Sequence, residues 1–202
     1  TIPVEVDIAS EFRYRNPIIT ENTLLIVISQ SGETADTLAA LRLAKKHGAK
    51  VIAITNVVGS TVSREADAVF YTHAGPEIAV ASTKAYTTQL IALYVFALFV
   101  AEQKKLLSDA EIEHYKNDLL SLADSVEEVL GCESAIKKMS KKLVNQKDMF
   151  FLGRGLDYAV AMEGSLKLKE ISYIHSEPYA GGELKHGPIA LIEDGTVVVC
   201  IS

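Results

Sequence analysis

One stretch constrains this chain more than any other. Residues 24–29, LLIVIS, form a continuous apolar run that ends at Gln-Ser-Gly. The run has strand length and lacks the alternation of a half-buried strand. Strands covered on both faces look like this, which points to a parallel sheet. A helical stretch follows from Glu33 to His47, with Leu38, Leu41 and Leu43 along it, and Gly48 is placed to stop it. Val51–Thr55 and Ala68–Thr72 are the next two strands. Strand, helix, strand at this spacing predicts a βαβ unit.

Thr83–Lys105 reads as one long helix, another begins at Ser108, and the stretch to about Lys142 is polar and helical with no strand signal. The apolar run within the first, Leu90–Ala101, is shorter than the roughly 20 residues a bilayer span needs. It is therefore expected to be a buried core helix and not a membrane segment. Asp148–Gly153 opens a second unit of strand, Gly-Arg-Gly turn and helix from about Asp157, with Val197–Ile201 its next strand. The expected fold is α/β, a doubly wound parallel sheet flanked by helices in two similar units. The expected boundaries are 1–108 for the first unit, 109–139 for a helical connection and 140–202 for the second. The closing β-branched run, TVVVCIS, is expected to need a further element to cover it, so the chain reads as part of a longer protein in which both units are incomplete.

The net charge of −6 comes without a cluster of Lys and Arg, which argues against a nucleic-acid partner. Cys132 and Cys200 have no metal-ligand spacing, and two cysteines make no disulfide framework. No basic start and apolar run marks a leader in the first ten residues. A reducing cytoplasm is the expected location.

Four segments could carry chemistry. The first is Ser29-Gln30-Ser31-Gly32-Glu33-Thr34, at a strand end and a helix start. Ligands of open α/β sheets bind at that edge. Helix-start N–H groups and the dipole suit a phosphate, and three hydroxyls and an amide exceed what capping requires. Ser31 as a plain N-cap is the alternative. GxxxxGK[ST] is absent, so this is not a nucleotide P-loop, and the single Gly-Arg-Gly does not complete a dinucleotide fingerprint. The second is Ala79–Lys84, where Ser82 can cap the long helix or its amides can add donors to the ligand. The third is the helix holding Glu163, Lys167 and Glu170 at i, i+4 and i+7, one helical face. Ionisable groups among Met162, Leu166, Leu168 and Ile171 suit proton transfer; a Glu163–Lys167 ion pair on a solvent face explains the same spacing. The fourth is Gly181–Pro188, a glycine-flanked Glu-Leu-Lys-His segment. His186 there is either a general acid/base on a mobile loop or a solvated surface histidine.

Taken together, SQSGETADT, ASTKA, EGSLKLKEISYIHSE and GELKHGP resemble the sugar-isomerase (SIS) half of the glutamine–fructose-6-phosphate aminotransferase family, over nearly the whole chain. SQSGET is shared by many SIS proteins, and the last two motifs are more specific. The resemblance implies that Ser29, Gln30, Ser31 and Thr34 hold a sugar phosphate and that Val80 and Ser82 contact the sugar. It implies that Glu170 moves a proton between C1 and C2, with Lys167 assisting. His186 would open the sugar ring from the neighbouring subunit of a homodimer. The implied ligands are fructose 6-phosphate and glucosamine 6-phosphate, with a glutaminase domain on the same full-length chain. No metal or organic cofactor is expected.

The sequence also departs from the family pattern. It lacks the glutaminase domain, the Gly/Thr/Ser loop that opens the first SIS unit, the end of the second unit and the C-terminal lysine. These 202 residues alone are thus expected to have no synthase activity. Another SIS-type isomerase or deglycase, or a phosphosugar-sensing regulatory domain, are the alternatives. A sensor would usually carry a DNA-binding helix-turn-helix, which is not seen here.

Overall fold

The computed structural model describes residues 2–202. The chain forms two compact units that meet at Leu120 and Ser121. That boundary falls inside the long helix Asp109–Leu130.

In the first unit a short helix α1 (Ala9–Phe12) and a 3-10 turn (Arg13–Arg15) precede β1 (Leu24–Ser29). Next come α2 (Ala35–Lys46), β2 (Lys50–Thr55), α3 (Thr61–Glu65) and β3 (Ala68–Tyr71), then α4 (Lys84–Gln103) and α5 (Asp109–Leu130). The strands form a parallel sheet in the order β1-β2-β3. Ser29 lies beside Thr55, and Thr55 beside Tyr71, so the three strands end together.

Packing on one face explains α2. Leu38, Leu41 and Ala44 recur at helical spacing and meet Val27, Val51, Ala53 and Val62 in the core. Asp36 in its first turn and Lys45 and Lys46 in its last complement the helix dipole. Gly48 ends it at φ +83, a conformation that favours glycine. On the other face of the sheet Leu24 and Ile28 keep 49% and 41% of their surface. Full burial of both faces, which the unbroken LLIVIS run suggested, therefore does not hold for β1.

Helix α4 also differs from expectation. It is one helix of 20 residues, as predicted, yet only Ala85 and Ala92 are buried. Tyr94, Val95 and Phe99 are exposed. By length and composition alone it is apolar enough to cross a membrane. A helix that is apolar all round can bury just the side it turns to a neighbour, and α4 packs on β2.

The second unit holds α6 (Glu133–Ser140), β4 (Asp148–Gly153), α7 (Leu156–Ser172), β5 (His175–Ala180) and β6 (Val197–Cys200). The expected helical stretch from Ser108 is divided at Gly131 and Cys132 into α5 and α6. The sheet is parallel in the order β5-β4-β6. Sequence reading misses β5, HSEPYA, because Pro178 interrupts any ladder and no apolar run marks it. An edge strand tolerates Pro178, since one side of its backbone faces no partner strand. Two 3-10 turns, Leu184–His186 and Pro188–Leu191, join β5 to β6.

Candidate functional site

The phosphate candidate in the first unit is a tight turn between β1 and α2. Thr34, not Ser31, is the N-cap residue of α2, and its side chain makes no capping bond. Ser29 is buried, and its Oγ accepts the Gly32 N–H at 3.0 Å and lies 3.1 Å from Thr34 Oγ1. Ser31 Oγ accepts the Glu33 N–H at 3.3 Å. Gly32 has φ +67, and a Cβ there would stand 2.2 Å from Ser60 Oγ. No other residue satisfies both the backbone conformation and that approach. The turn's carbonyls face the segment that follows β2: the Asn56 N–H donates to Gln30 O at 3.1 Å and the Val62 N–H to Gly32 O at 2.9 Å.

An open cleft of about 590 Å³ lies where the three strands end, lined by Gln30, Asn56, His73, Gly75, Pro76 and Glu77 among others. Asn56 organises its wall. Its Nδ2 donates to Gly75 O at 2.8 Å, and its Oδ1 accepts from Thr72 Oγ1 at 3.1 Å and the Ala74 N–H at 2.8 Å. His73 sits in the left-handed region at φ 51.

Ser82 does not cap α4. It donates to Glu77 Oε2 at 3.2 Å, and the same oxygen accepts the Ala85 N–H at 3.3 Å. A carboxylate from the preceding loop thus occupies this helix end. Burial pushes the Glu77 carboxyl up, but the bonds from Ala85, Ser82 and Ala79 together outweigh it and hold the group below the usual carboxylate range. The start of α4 thus already carries an anion. Val80, on the loop between β3 and α4, is 99% exposed.

In the second unit α7 brings the predicted acid/base residues together. Lys167 Nζ is 2.6 Å from Glu170 Oε2 and 3.5 Å from Glu163 Oε1. One ammonium thus bridges two carboxylates, and the three side chains retain 21–34% of their surface. Its bond to Glu170 raises the Lys167 pKa above the ordinary lysine value, with the Glu163 charge adding to the effect. The sequence alternative, a bare Glu163–Lys167 bridge, describes only the longer of the two contacts.

α7 is held against the sheet by a buried serine pair: Ser165 Oγ lies 2.9 Å from Ser176 Oγ and donates to Ser176 O, while Ser176 Oγ donates to Ser165 O. His186 ends a 3-10 turn, its N–H donating to Glu183 O at 2.9 Å, and it is exposed. The expected irregular loop is thus a pair of short helical turns.

Sequence reasoning misses Asn56, Ser60, His73 and Glu77. A carboxylate eight residues before the N–H it caps is outside capping-box spacing, so Glu77 carries no local signal. Asn56 and His73 follow β2 and β3 by one and two residues. Only the rule that ligands bind at strand ends could have singled them out.

The SIS domain model matches residues 1–99 and 142–202 of this chain. The chain belongs to the SIS domain family. As a SIS chain it is 69% identical over its full length to a glutamine–fructose-6-phosphate aminotransferase [isomerizing] of Clostridium tetani, of which it covers 33%. It is 52% identical to the enzyme of that name from Methanosarcina acetivorans, covering 32% of it. The chain therefore spans about a third of the length of these relatives. Among solved structures, the C-terminal domain of glucosamine-fructose-6-phosphate aminotransferase from Francisella tularensis matches with a TM-score of 0.96 at 48% identity, over 98% of this chain and 56% of that one. A glucosamine-6-phosphate deaminase from Thermotoga maritima matches with a TM-score of 0.68 at 26% identity, over 95% and 56%.

Proposed function

We propose that this chain is the isomerase portion of a glutamine–fructose-6-phosphate aminotransferase. The whole enzyme converts fructose 6-phosphate and glutamine-derived ammonia to glucosamine 6-phosphate, a precursor for amino-sugar nucleotides such as UDP-N-acetylglucosamine. One observation carries this reading. The Ser29–Thr34 turn clusters three hydroxyls at a helix start on the ligand edge of a parallel sheet, with its Gln30 and Gly32 carbonyls engaged elsewhere. Identity of up to 69% to relatives that carry this enzyme name supports it.

In this reading Ser29, Gln30, Ser31 and Thr34 bind the phosphate, and Val80 and Ser82 contact the sugar. His186, from the partner subunit of a homodimer, opens the ring. Ammonia from the glutaminase domain of the full-length chain forms the imine at C2. Glu170 then takes a proton from C1; the electron pair forms the C1–C2 double bond while the C2=N pair moves to nitrogen, which takes up a proton to give an enolamine. Returning the proton from Glu170 to C2, while the C1 hydroxyl releases a proton that replaces the one taken up by nitrogen, yields the amino aldose. Lys167, bound to Glu170, assists these transfers by holding the carboxylate in place and balancing charge near C1. Both cysteines are free and exposed, in keeping with action in a reducing cytoplasm.

Glu170→Gln in the full-length enzyme tests the assignment. The variant should bind fructose 6-phosphate with unchanged affinity and lose roughly 10²–10⁴-fold in turnover, the usual contribution of a positioned base. Full turnover by the Gln variant would remove Glu170 from the mechanism. A purely sensing domain would keep its ligand response and show no turnover to lose.

A further inference from the structure

A phosphate turn must hold its own negatively polarised oxygens away from the anion. Here one segment does this for three of them. The Asn56 N–H takes Gln30 O, the Val62 N–H takes Gly32 O, and the Thr61 N–H takes Glu33 Oε1 at 2.7 Å. Ser60, from the same segment, is buried directly behind Gly32, where it leaves no room for a Cβ. Its hydroxyl has no hydrogen-bond partner, so it serves there by bulk. The Glu33 contact is the unexpected one. A carboxylate in a six-residue phosphate turn would repel the ligand if it were free to turn inward. The Thr61 N–H instead anchors it on the far side, and Arg64 adds attraction there.

We infer that Asn56–Val62 is a positioning element for the phosphate turn and that Glu33 is a positioning residue, tied to Thr61 so that the turn offers donors alone to its ligand. This rests on the phosphate-binding reading of Ser29–Thr34. Glu33 is given no contact with the substrate. Its effect runs through the conformation of Gly32 and Thr34 on either side of it.

The test is a titration of the full-length enzyme with inorganic phosphate and with fructose 6-phosphate, followed by calorimetry or phosphorus NMR. It is run on the wild type and on E33A, E33Q, T61P and E33A/T61P. Thr61 is the first residue of α3, where proline is accommodated, and Ser60 already has the extended backbone that must precede a proline (φ −62, ψ 160). T61P therefore deletes the N–H donor, and with it the Thr61 hydroxyl that meets Arg64 and Glu33, while the proline suits the first position of α3.

E33A and T61P should each weaken binding about fivefold or more, a common size for coupling through a positioning contact. The double variant should lose no more than either single one. E33Q, whose amide oxygen still accepts from Thr61, should stay within about twofold of wild type. Unchanged Kd in T61P, or loss in E33Q equal to that in E33A, would overturn the inference. So would variants whose melting temperature falls while their phosphate affinity holds. If E33A does not fold, T61P and E33Q decide the question. If the wild type binds neither ligand, the phosphate reading itself fails, an outcome distinct from a wild type that binds and variants that bind equally well.

Discussion

Single contacts set the direction in which the α7 side chains point. On a 3.6-residue helix Ser165 falls on the side opposite to Glu163, Lys167 and Glu170, and it is fully buried against Ser176. The serine pair thus fixes how α7 is rotated on β5, and with it the way the charged face looks. Ser165→Ala and Ser176→Ala should each cost about 1 kcal/mol in urea unfolding, the usual net value of one hydrogen bond. Because each hydroxyl bonds the other serine's carbonyl and the two oxygens lie 2.9 Å apart, the double variant should cost less than the sum, with the difference read from a double-mutant cycle. Strict additivity would mean that they act independently. Serine spacing alone does not reveal this pairing: residues 165 and 176 meet only once α7 folds back on β5.

Among the elements, the β2–α3 connection and its neighbours concentrate the ionised carboxylates of the first unit. The Thr61 N–H holds Glu33 below the usual carboxylate range, the Arg42 guanidinium does so for Glu65, and the Val51 N–H for Asp67. A carboxyl whose pKa is lower when folded than when unfolded stabilises the fold above the unfolded value, and that contribution is lost as pH falls through the folded one. The urea midpoint of the first unit should therefore be flat above the ordinary carboxylate range near about 4 and fall steadily below it. An Arg42→Met variant should show a smaller acid loss than wild type. A profile that is flat through the acid range would contradict these assignments.

The main elements are legible in the sequence, and two exceptions are instructive. Among the described residues, five of the six strands announce themselves as apolar runs. β5 does not, because an edge strand can carry His175, Glu177 and Pro178 without breaking a ladder on both sides. The break between α5 and α6 at Gly131 carries no strong sequence signal either, since Glu127, Glu128, Leu130, Glu133 and Ala135 around it are good helix formers.

For the whole molecule, the two units repeat one plan, a three-stranded parallel sheet with helices against it. The first carries the Ser29–Thr34 turn and the second the face of α7 that holds Glu163, Lys167 and Glu170. A ligand that binds the folded chain raises its stability by about 2.7 kcal/mol at 100 times its Kd. Fructose 6-phosphate should therefore raise the melting temperature in proportion to the logarithm of its concentration, whereas fructose at equal concentration should not. Equal shifts with both sugars would show that the phosphate turn is not the anchor.

The sequence alone determines the parallel α/β class, the strand-to-helix turn at Ser29 and the one-face spacing of Glu163, Lys167 and Glu170, because periodicity and local propensity act over a few residues. Tertiary structure alone decides what those residues then meet. Glu77 takes the start of α4, Thr61 takes the Glu33 carboxylate, Ser60 fills the space behind Gly32, and Lys167 closes on Glu170 more tightly than on Glu163. Most of these contacts join segments that only folding brings together. Even the last, within one helix turn, depends on side-chain conformations that spacing does not specify.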